Sequence, residues 1–378
     1  MAEFLFWTCL LLPAYAWLGY PLVLRVLGTF ISRPVRSGNS ALSVSIIIAA
    51  HNEAAHIQSK IRSLLGQGYP ASALEVLVAS DGSSDDTVAL AEAVGNARVR
   101  VLDLPRMGKT RALNAAVAEA RYEVLVFTDA DNVWTAETLN HLLAPLADPT
   151  VGCCGGTLVV HRSGSSLSIG DRWYRRYEAW LRELENRVGC MVSADGALLA
   201  LRRELWQPIP DEVNDDFFLS TCAPVQGQRI VHVPGAVVLD HGLAEADKQL
   251  HRRIRVTVGG LQSLLVRRQL LNPMRYGAYA LALISHKVLR RFAPLLLVPL
   301  LLANLALWDA GPLYRFSLLL QLTGYAVGLA GLFDRSDRLP RAFRLAGFFL
   351  VTLVGMAVGL VQFIRGRRYS LWNPQQSR

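Results

Sequence analysis

Long apolar runs occupy both ends of the chain, and between them short apolar runs alternate with helical stripes. Residues 4–31, FLFWTCLLLPAYAWLGYPLVLRVLGTFI, are long enough to cross a bilayer core of about 30 Å. The run follows Glu3 and carries Arg25, Arg33 and Arg36 at its far end. This predicts an anchor with its N-terminus outside and the following chain inside. A signal peptide would be shorter, led by positive charge and closed by a small-residue cleavage site. Residues 292–309, 315–333 and 343–364 are three further stretches of spanning length. Before them, 276–291 is shorter and ends in Lys287, Arg290 and Arg291, which predicts a helix lying on the membrane surface. Arg335, Arg338, Arg341 and Arg344 precede the last stretch, and Arg365, Arg367 and Arg368 follow it. One crossing cannot put both groups on the same side. Three C-terminal spans are the working arrangement, with one of these segments expected to be interfacial or re-entrant.

Residues 40–245 read as an α/β unit. SVSIIIAA (43–50), EVLVAS (75–80), RVRVLDL (98–104) and EVLVFTDA (123–130) are buried-strand runs, separated by helical stretches such as KTRALNAAVAEA. This alternation predicts a mostly parallel, Rossmann-like sheet with helices on both faces. Ligands of such sheets sit beyond the carboxyl ends of the strands. The expected organisation is an anchor (1–31), this domain (40–245), amphipathic interface helices (246–291), C-terminal spans (292–364) and a tail (365–378).

Composition agrees. Of 378 residues, 52% are hydrophobic and 18% charged, against roughly 25% charged in soluble domains. That excludes a disordered or fibrous chain. The net charge of +9 belongs with Arg clusters beside apolar segments and so with a membrane surface. A nucleic-acid role would need a basic patch away from the spans, with stacking aromatics on an open sheet; none is evident. The five cysteines show no metal-ligand spacing and read as reduced thiols.

The chemistry gathers at strand ends. The first strand runs into AAHNEA, the second into SDGSSDDT and the fourth into TDADN. Asp85 and Asp86 read as helix caps. Asp129 and Asp131 can both reach one divalent cation, with phosphate oxygens completing its shell, or can form an Asx turn. Mg²⁺ or Mn²⁺ suits such oxygen-only ligands. RMGKT (106–110) lacks the upstream Gly of a phosphate-binding P-loop, because Asp103 stands there. Lys109 can still reach a diphosphate from a helix start. Asp215 and Asp216 precede an apolar run, and either can serve as a general base if it faces the cleft. Two stretches are amphipathic. One puts Trp173, Tyr177, Trp180, Leu184 and Val188 on one helical face. The other does so with Leu250, Ile254, Leu261 and Leu265, beside several arginines. Both suit a membrane interface, or a helix facing the core of the enzyme domain.

The order NE, DGSSDDT, GK..ALN, DAD, G…RR, an acidic pair and an Arg-rich segment, followed by apolar spans, resembles membrane-embedded family 2 glycosyltransferases. That group contains cellulose, hyaluronan, chitin-oligosaccharide and poly-N-acetylglucosamine synthases, and the motifs cover about residues 43–265. The resemblance implies a GT-A fold and a UDP-sugar donor. It puts Glu53 and Asp81 at the uridine and Lys109 near the diphosphate. Asp129 and Asp131 correspond to the DxD that holds the nucleotide and its Mg²⁺ or Mn²⁺. Asp216 corresponds to the base of the acidic pair, with Asp215 beside it. RRIRVTVGG (252–260) matches the QxxRW segment but departs from it, with Arg252 for Gln and Val256 for Trp. Arg253 and Arg255 remain as diphosphate ligands. The missing Trp puts processivity in doubt. The function implied is inverting transfer at the cytoplasmic membrane, from a UDP-sugar to an exopolysaccharide or similar glycan. The alternative is transfer of one sugar to a lipid acceptor. A catalytically dead scaffold is disfavoured by the intact Asp81, Asp129, Asp131 and Asp216. An export or regulatory protein partner is expected by analogy alone.

Overall fold

The computed structural model describes residues 1–38, 42–161, 166–241, 246–334 and 338–368. Arg335 and the tail beyond Arg368 lie outside the described residues.

The sheet comprises β1 (Val44–Ala50), β2 (Leu74–Asp81), β3 (Val99–Leu104), β4 (Val124–Asp129), β5 (Val133–Trp134), β6 (Val151–His161), β7 (Leu198–Arg202) and β8 (Arg229–His241). Their order is β3-β2-β1-β4-β7-β6-β8-β5. Pairings β1–β2, β2–β3, β1–β4 and β6–β8 are parallel, and those of β7 with β4 and β6 are antiparallel. The sheet is thus mostly parallel, as the strand–helix alternation predicts. Its buried runs reflect cover on both faces. Ile46, Ile48, Val76, Val78 and Val126 point to a layer with Ile57, Ile61 and Leu64. Ile47, Leu77, Leu125 and Phe127 point to the other, with Leu113, Val117 and Phe218. Register sets Ala49 opposite both Ala79 and Asp129. The ends of β1, β2 and β4 are therefore level, and their loops open on one edge.

Among the described residues four helices are long and apolar enough to cross a membrane: Ala2–Phe30, Pro273–Ala306, Pro312–Phe333 and Arg341–Ile364. Segment 276–291 is not a separate surface helix. After Gly277, where the backbone leaves helical geometry (φ +52°, ψ −129°), it continues into 292–306 as one helix. The continuity is possible because Lys287, Arg290 and Arg291 turn into protein rather than toward lipid. Arg290 stacks at 3.9 Å over the Trp17 ring and pairs with Glu178 at 2.7 Å. The N-terminal helix lies alongside, Phe6 packing with Leu300 and Ala303 and Tyr20 reaching His286 and Glu185.

Helix Arg341–Ile364 lies along the helix Ala246–Val266. A Cβ on Gly355 would meet the Arg253 Cβ at 2.7 Å, and one on Gly359 the Thr257 Cβ at 2.8 Å. Glycines at this spacing let two backbones approach closely. At its far end Arg368 pairs with Glu212 at 2.6 Å.

The aromatic stripe of helix Ser166–Val188 divides. Leu184 and Val188 are core, packed with Tyr20, Leu24 and Leu261, whereas Trp173 and Trp180 are exposed. In the second stripe Ile254 and Leu261 are buried and Leu265 is exposed. All five cysteines are buried thiols.

Candidate active site

A cavity of about 240 Å³ opens at the carboxyl edge of β4. Lys109, Asp129, Asp215, Asp216 and Arg255 all line it, joined by Asp195 and Arg252. Three elements bring the lysine and the carboxylates Asp129, Asp215 and Asp216 there, and the helix Ala246–Val266 brings the arginines. Asp129 ends β4. Lys109 begins the helix Lys109–Glu119, preceded by Gly108 at φ +96°, a conformation that favours glycine. Asp215 and Asp216 open the helix Asp215–Val225. Lys109 Nζ donates to Asp129 Oδ1 at 2.9 Å and sits 2.9 Å from Asp215 Oδ2, tying the acidic strand end to the acidic helix start. These two carboxylates hold the Lys109 ammonium well above its usual range against burial.

Burial pushes the Asp216 carboxyl up to about 6, and the neighbouring Asp215 and Asp195 push the same way. Burial also lifts Asp129; Lys109 opposes this and Asp131 adds to it. Asp195 behaves otherwise. Its burial is outweighed by Arg182 and Arg175, which hold its carboxyl low. Gly196 passes close to Asp216: a Cβ there would meet the Asp216 Cβ at 3.0 Å.

Asp131 does not line this cavity, although its charge acts on Asp129. Among the described residues no cluster of three or more Asp, Glu, His or Cys is placed to cage a metal. Two carboxylates at a strand end, with oxygen donors only, fit a cation whose shell is finished by phosphate and water. The donor set therefore suits Mg²⁺ or Mn²⁺ in that form.

Glu53 and Asp81 are buried at the ends of β1 and β2, outside the cavity lining. The Glu53 N–H donates to Thr87 Oγ1 at 2.8 Å. The Asp81 carboxylate pairs with Arg106 and accepts the Met107 and Gly108 N–H groups at 2.6 and 2.9 Å. Asp81 thus holds the loop that presents Lys109. Asp85 acts as a cap, accepting from Thr87 N at 3.1 Å and Ala54 N at 3.2 Å; Asp86 makes no capping bond.

Arg253 separates from Arg255. On one helix, positions 252, 255, 256 and 259 share a face, and all four line the cavity. Arg253 projects about 100° away from Arg252. It stacks at 4.5 Å over Tyr174 and lies 3.9 Å from Asp171, in a second cavity behind the first.

Lys60 was not marked by the sequence reading. It is fully buried beneath the DxD turn, donating to Thr128 Oγ1 at 2.8 Å and to Asn132 Oδ1, with Trp134 5.3 Å away. Burial drives its ammonium down to about 7, against the pull of Asp129 and Asp131. The available signal is phase. Ile57, Ile61 and Leu64 form a buried stripe, and position 60 belongs to it. A lysine there needs an internal partner.

Two family descriptions match the sequence: glycosyl transferase family 2 over residues 45–199 and glycosyl transferase family group 2 over residues 124–358. The chain belongs to the family 2 glycosyltransferases. A poly-β-1,6-N-acetyl-D-glucosamine synthase of Staphylococcus epidermidis is 29% identical over 233 residues, 59% of this chain and 55% of that one. An N-acetylglucosaminyltransferase of Sinorhizobium fredii is 25% identical over 361 residues, 87% of this chain and 82% of that one. The chain spans about half the length of the first curated relatives it matches. A mannosyltransferase of Pyrobaculum calidifontis, solved with GDP-Man and Mn²⁺, superposes with a TM-score of 0.74 at 24% identity, covering 97% of this chain and 100% of that one. That likeness shows the fold, which is GT-A, with apolar helices at both ends. This glycosyltransferase keeps each acidic motif of the resemblance, and its arginine segment differs as noted.

Proposed function

We propose that this protein is an inverting, divalent-metal-dependent glycosyltransferase of the cytoplasmic membrane, with its catalytic unit facing the cytoplasm. In this reading it moves a sugar from a UDP-sugar onto a growing exopolysaccharide or similar glycan. The observation that carries the proposal is one cavity holding a carboxyl poised near pH 6 opposite a lysine and an arginine. Asp216 takes the proton of an acceptor hydroxyl. The hydroxyl oxygen forms its bond to the anomeric carbon as the bond to the nucleoside diphosphate breaks on the opposite side. That single displacement inverts configuration. Lys109 and Arg255 receive the negative charge that gathers on the leaving diphosphate. Asp129 and Asp131 would hold Mg²⁺ or Mn²⁺, which supplies further charge neutralisation there. Glu53 and the Asp81-held loop form the uridine end of the site, and Arg253 contributes from behind.

A second reading is transfer of one sugar to a lipid acceptor. Val256 favours it, because this small side chain lines the cavity where an aromatic platform for a glycan chain is otherwise expected. The test uses the full chain in nanodiscs with Mg²⁺ or Mn²⁺ and a panel of UDP-sugars with GDP-mannose. Nucleotide release is followed and the product is sized. Release with one UDP-sugar and a polymeric product is expected. A one-sugar lipid product selects the second reading, and release only from GDP-mannose overturns the UDP assignment.

A further inference from the structure

Behind the catalytic cavity lie two more, of about 160 and 110 Å³. The first shares Asp195 and Arg252 with the catalytic cavity; the two rear cavities share Tyr174, Glu178, Arg253 and Lys287. A row of three adjoining polar cavities thus leads from Asp216 to the helix Pro273–Ala306, and Thr352 and Met356 of the last helix form the far wall of this route.

The route carries surplus positive charge. Arg175 pairs with Asp171, Arg182 with Asp195 and Arg290 with Glu178. Those pairs use all three carboxylates that line the two rear cavities. Arg252, Lys287 and Arg291 also line them and stand in no ion pair among the described residues. Lys287 and Arg291 belong to a helix apolar enough to span a membrane, where cations turned inward mark a functional pathway. His232, only 3% exposed, lines the route with its Nδ1 unpartnered, as does the hydroxyl of Thr157. Three cations without a carboxylate partner, of which Arg291 donates only to the Lys287 carbonyl at 3.2 Å, and two polar atoms idle among the described residues make a recessed space that favours an anion.

We propose that this route seats the phosphate or diphosphate of the acceptor, a lipid headgroup whose tail leaves past Thr352 and Met356. The inference rests on the reading of Asp216 as the transfer site. Asp216 as a base calls for a hydroxyl nucleophile, so the phosphate is the handle and not the attacking group. The acceptor is then a sugar, or another hydroxyl carrier, esterified to a lipid through phosphate. Its hydroxyl oxygen bonds to the anomeric carbon, its proton passes to Asp216, and the nucleoside diphosphate leaves. A soluble phosphoryl compound offers the same anion without the tail.

Binding to the full chain in nanodiscs separates these sources without requiring turnover. The probes are farnesyl diphosphate, farnesol and inorganic pyrophosphate, with UDP binding measured in parallel. The expected result is that farnesyl diphosphate binds more tightly than either fragment. Lys287→Gln and Arg291→Gln should each weaken it roughly tenfold, the scale of one lost charge-assisted hydrogen bond, and leave UDP binding within about twofold. Lys109→Met should weaken UDP and spare farnesyl diphosphate. Arg291→Lys, which keeps the charge, should recover most of the loss and guards against misfolding as the cause. Equal binding of farnesol and its diphosphate, or no effect of either Gln variant, overturns the proposal. Pyrophosphate binding as tightly as the farnesyl ester overturns the lipid source. Failure of the wild type to bind UDP sinks the donor reading alone, and the farnesyl diphosphate arm remains interpretable.

Discussion

The catalytic cavity and the basic route behind it meet at Asp195 and Arg252, yet their charges run in opposite directions. The catalytic cavity gathers five carboxylates, Asp129, Asp195, Asp211, Asp215 and Asp216, against Lys109, Arg252 and Arg255. The first rear cavity gathers Arg175, Arg182, Arg252, Arg253 and Lys287 against Asp171, Glu178 and Asp195. An acid-rich space suits a metal with its diphosphate and a base, and a base-rich space suits an anion without a metal. The two are also built differently. The catalytic cavity takes its groups mainly from strand ends and helix starts, each inside a short motif. The basic route is assembled from helices whose contributing residues, Tyr174, Arg253, Lys287 and Met356, are far apart in sequence.

The sharpest way to break the comparison is at the base. Asp216→Asn should lower kcat by about 10³-fold, within the usual range for general-base catalysis, with UDP affinity nearly unchanged; retained turnover would remove the role. In the wild type, kcat/KM should fall as pH drops through about 6. Stability should move the other way. A carboxyl whose folded pKa is raised favours the folded state at low pH and loses that contribution as pH rises through about 6. Asp216→Asn should therefore melt higher than wild type at pH 8, with the difference closing in acid.

Next in size is the buried lysine. Lys60→Met should cost about 1–3 kcal/mol by leaving the Asn132 and Thr128 oxygens without their donor, and should weaken Mn²⁺ binding measured by calorimetry. Unchanged melting and unchanged metal affinity would show that the turn holds itself. Gly355→Leu should separate the last helix from the arginine helix, at about 1–3 kcal/mol for overpacking, read as a lower melting temperature and a raised donor KM. Arg255→Ala should raise the donor KM by roughly tenfold, the scale of one charge-assisted hydrogen bond, with little change in melting. Val256→Trp should have the smallest effect on rate and be read in product length; unchanged product size would exclude this position as a determinant of it.

The strand-end chemistry was legible because each motif sits where a parallel sheet ends, and the sheet is visible as buried runs. Lys109, Asp129, Asp215, Asp216 and Arg255 do converge. Arg253 stands apart from Arg255 because residues two apart on a helix point about 200° from one another, which nearness in sequence hides. Lys60 carries no signal of its own in the sequence, because a lysine in an amphipathic helix is ordinarily a surface residue. Segment 276–291 read as a separate surface element because its three cations look hostile to a continuous apolar helix. Glu178 and Trp17, the partners of Arg290, lie more than a hundred residues away, and composition within a window does not register them.

The close approach of Gly355 and Gly359 to the helix bearing Arg252 and Arg255 carries one more consequence. With no side chains between them at these two positions to absorb a shift, the two helices are closely coupled, and under the membrane placement proposed above the bilayer becomes part of the catalytic frame. On that proposal the lateral pressure of the lipid around the last helix bears on where two cavity-lining arginines stand. Turnover in nanodiscs of saturated and of unsaturated lipid should differ while UDP affinity in detergent-free conditions tracks it; equal rates would show the frame to be self-supporting. On this reading the membrane tunes the enzyme as well as holding it.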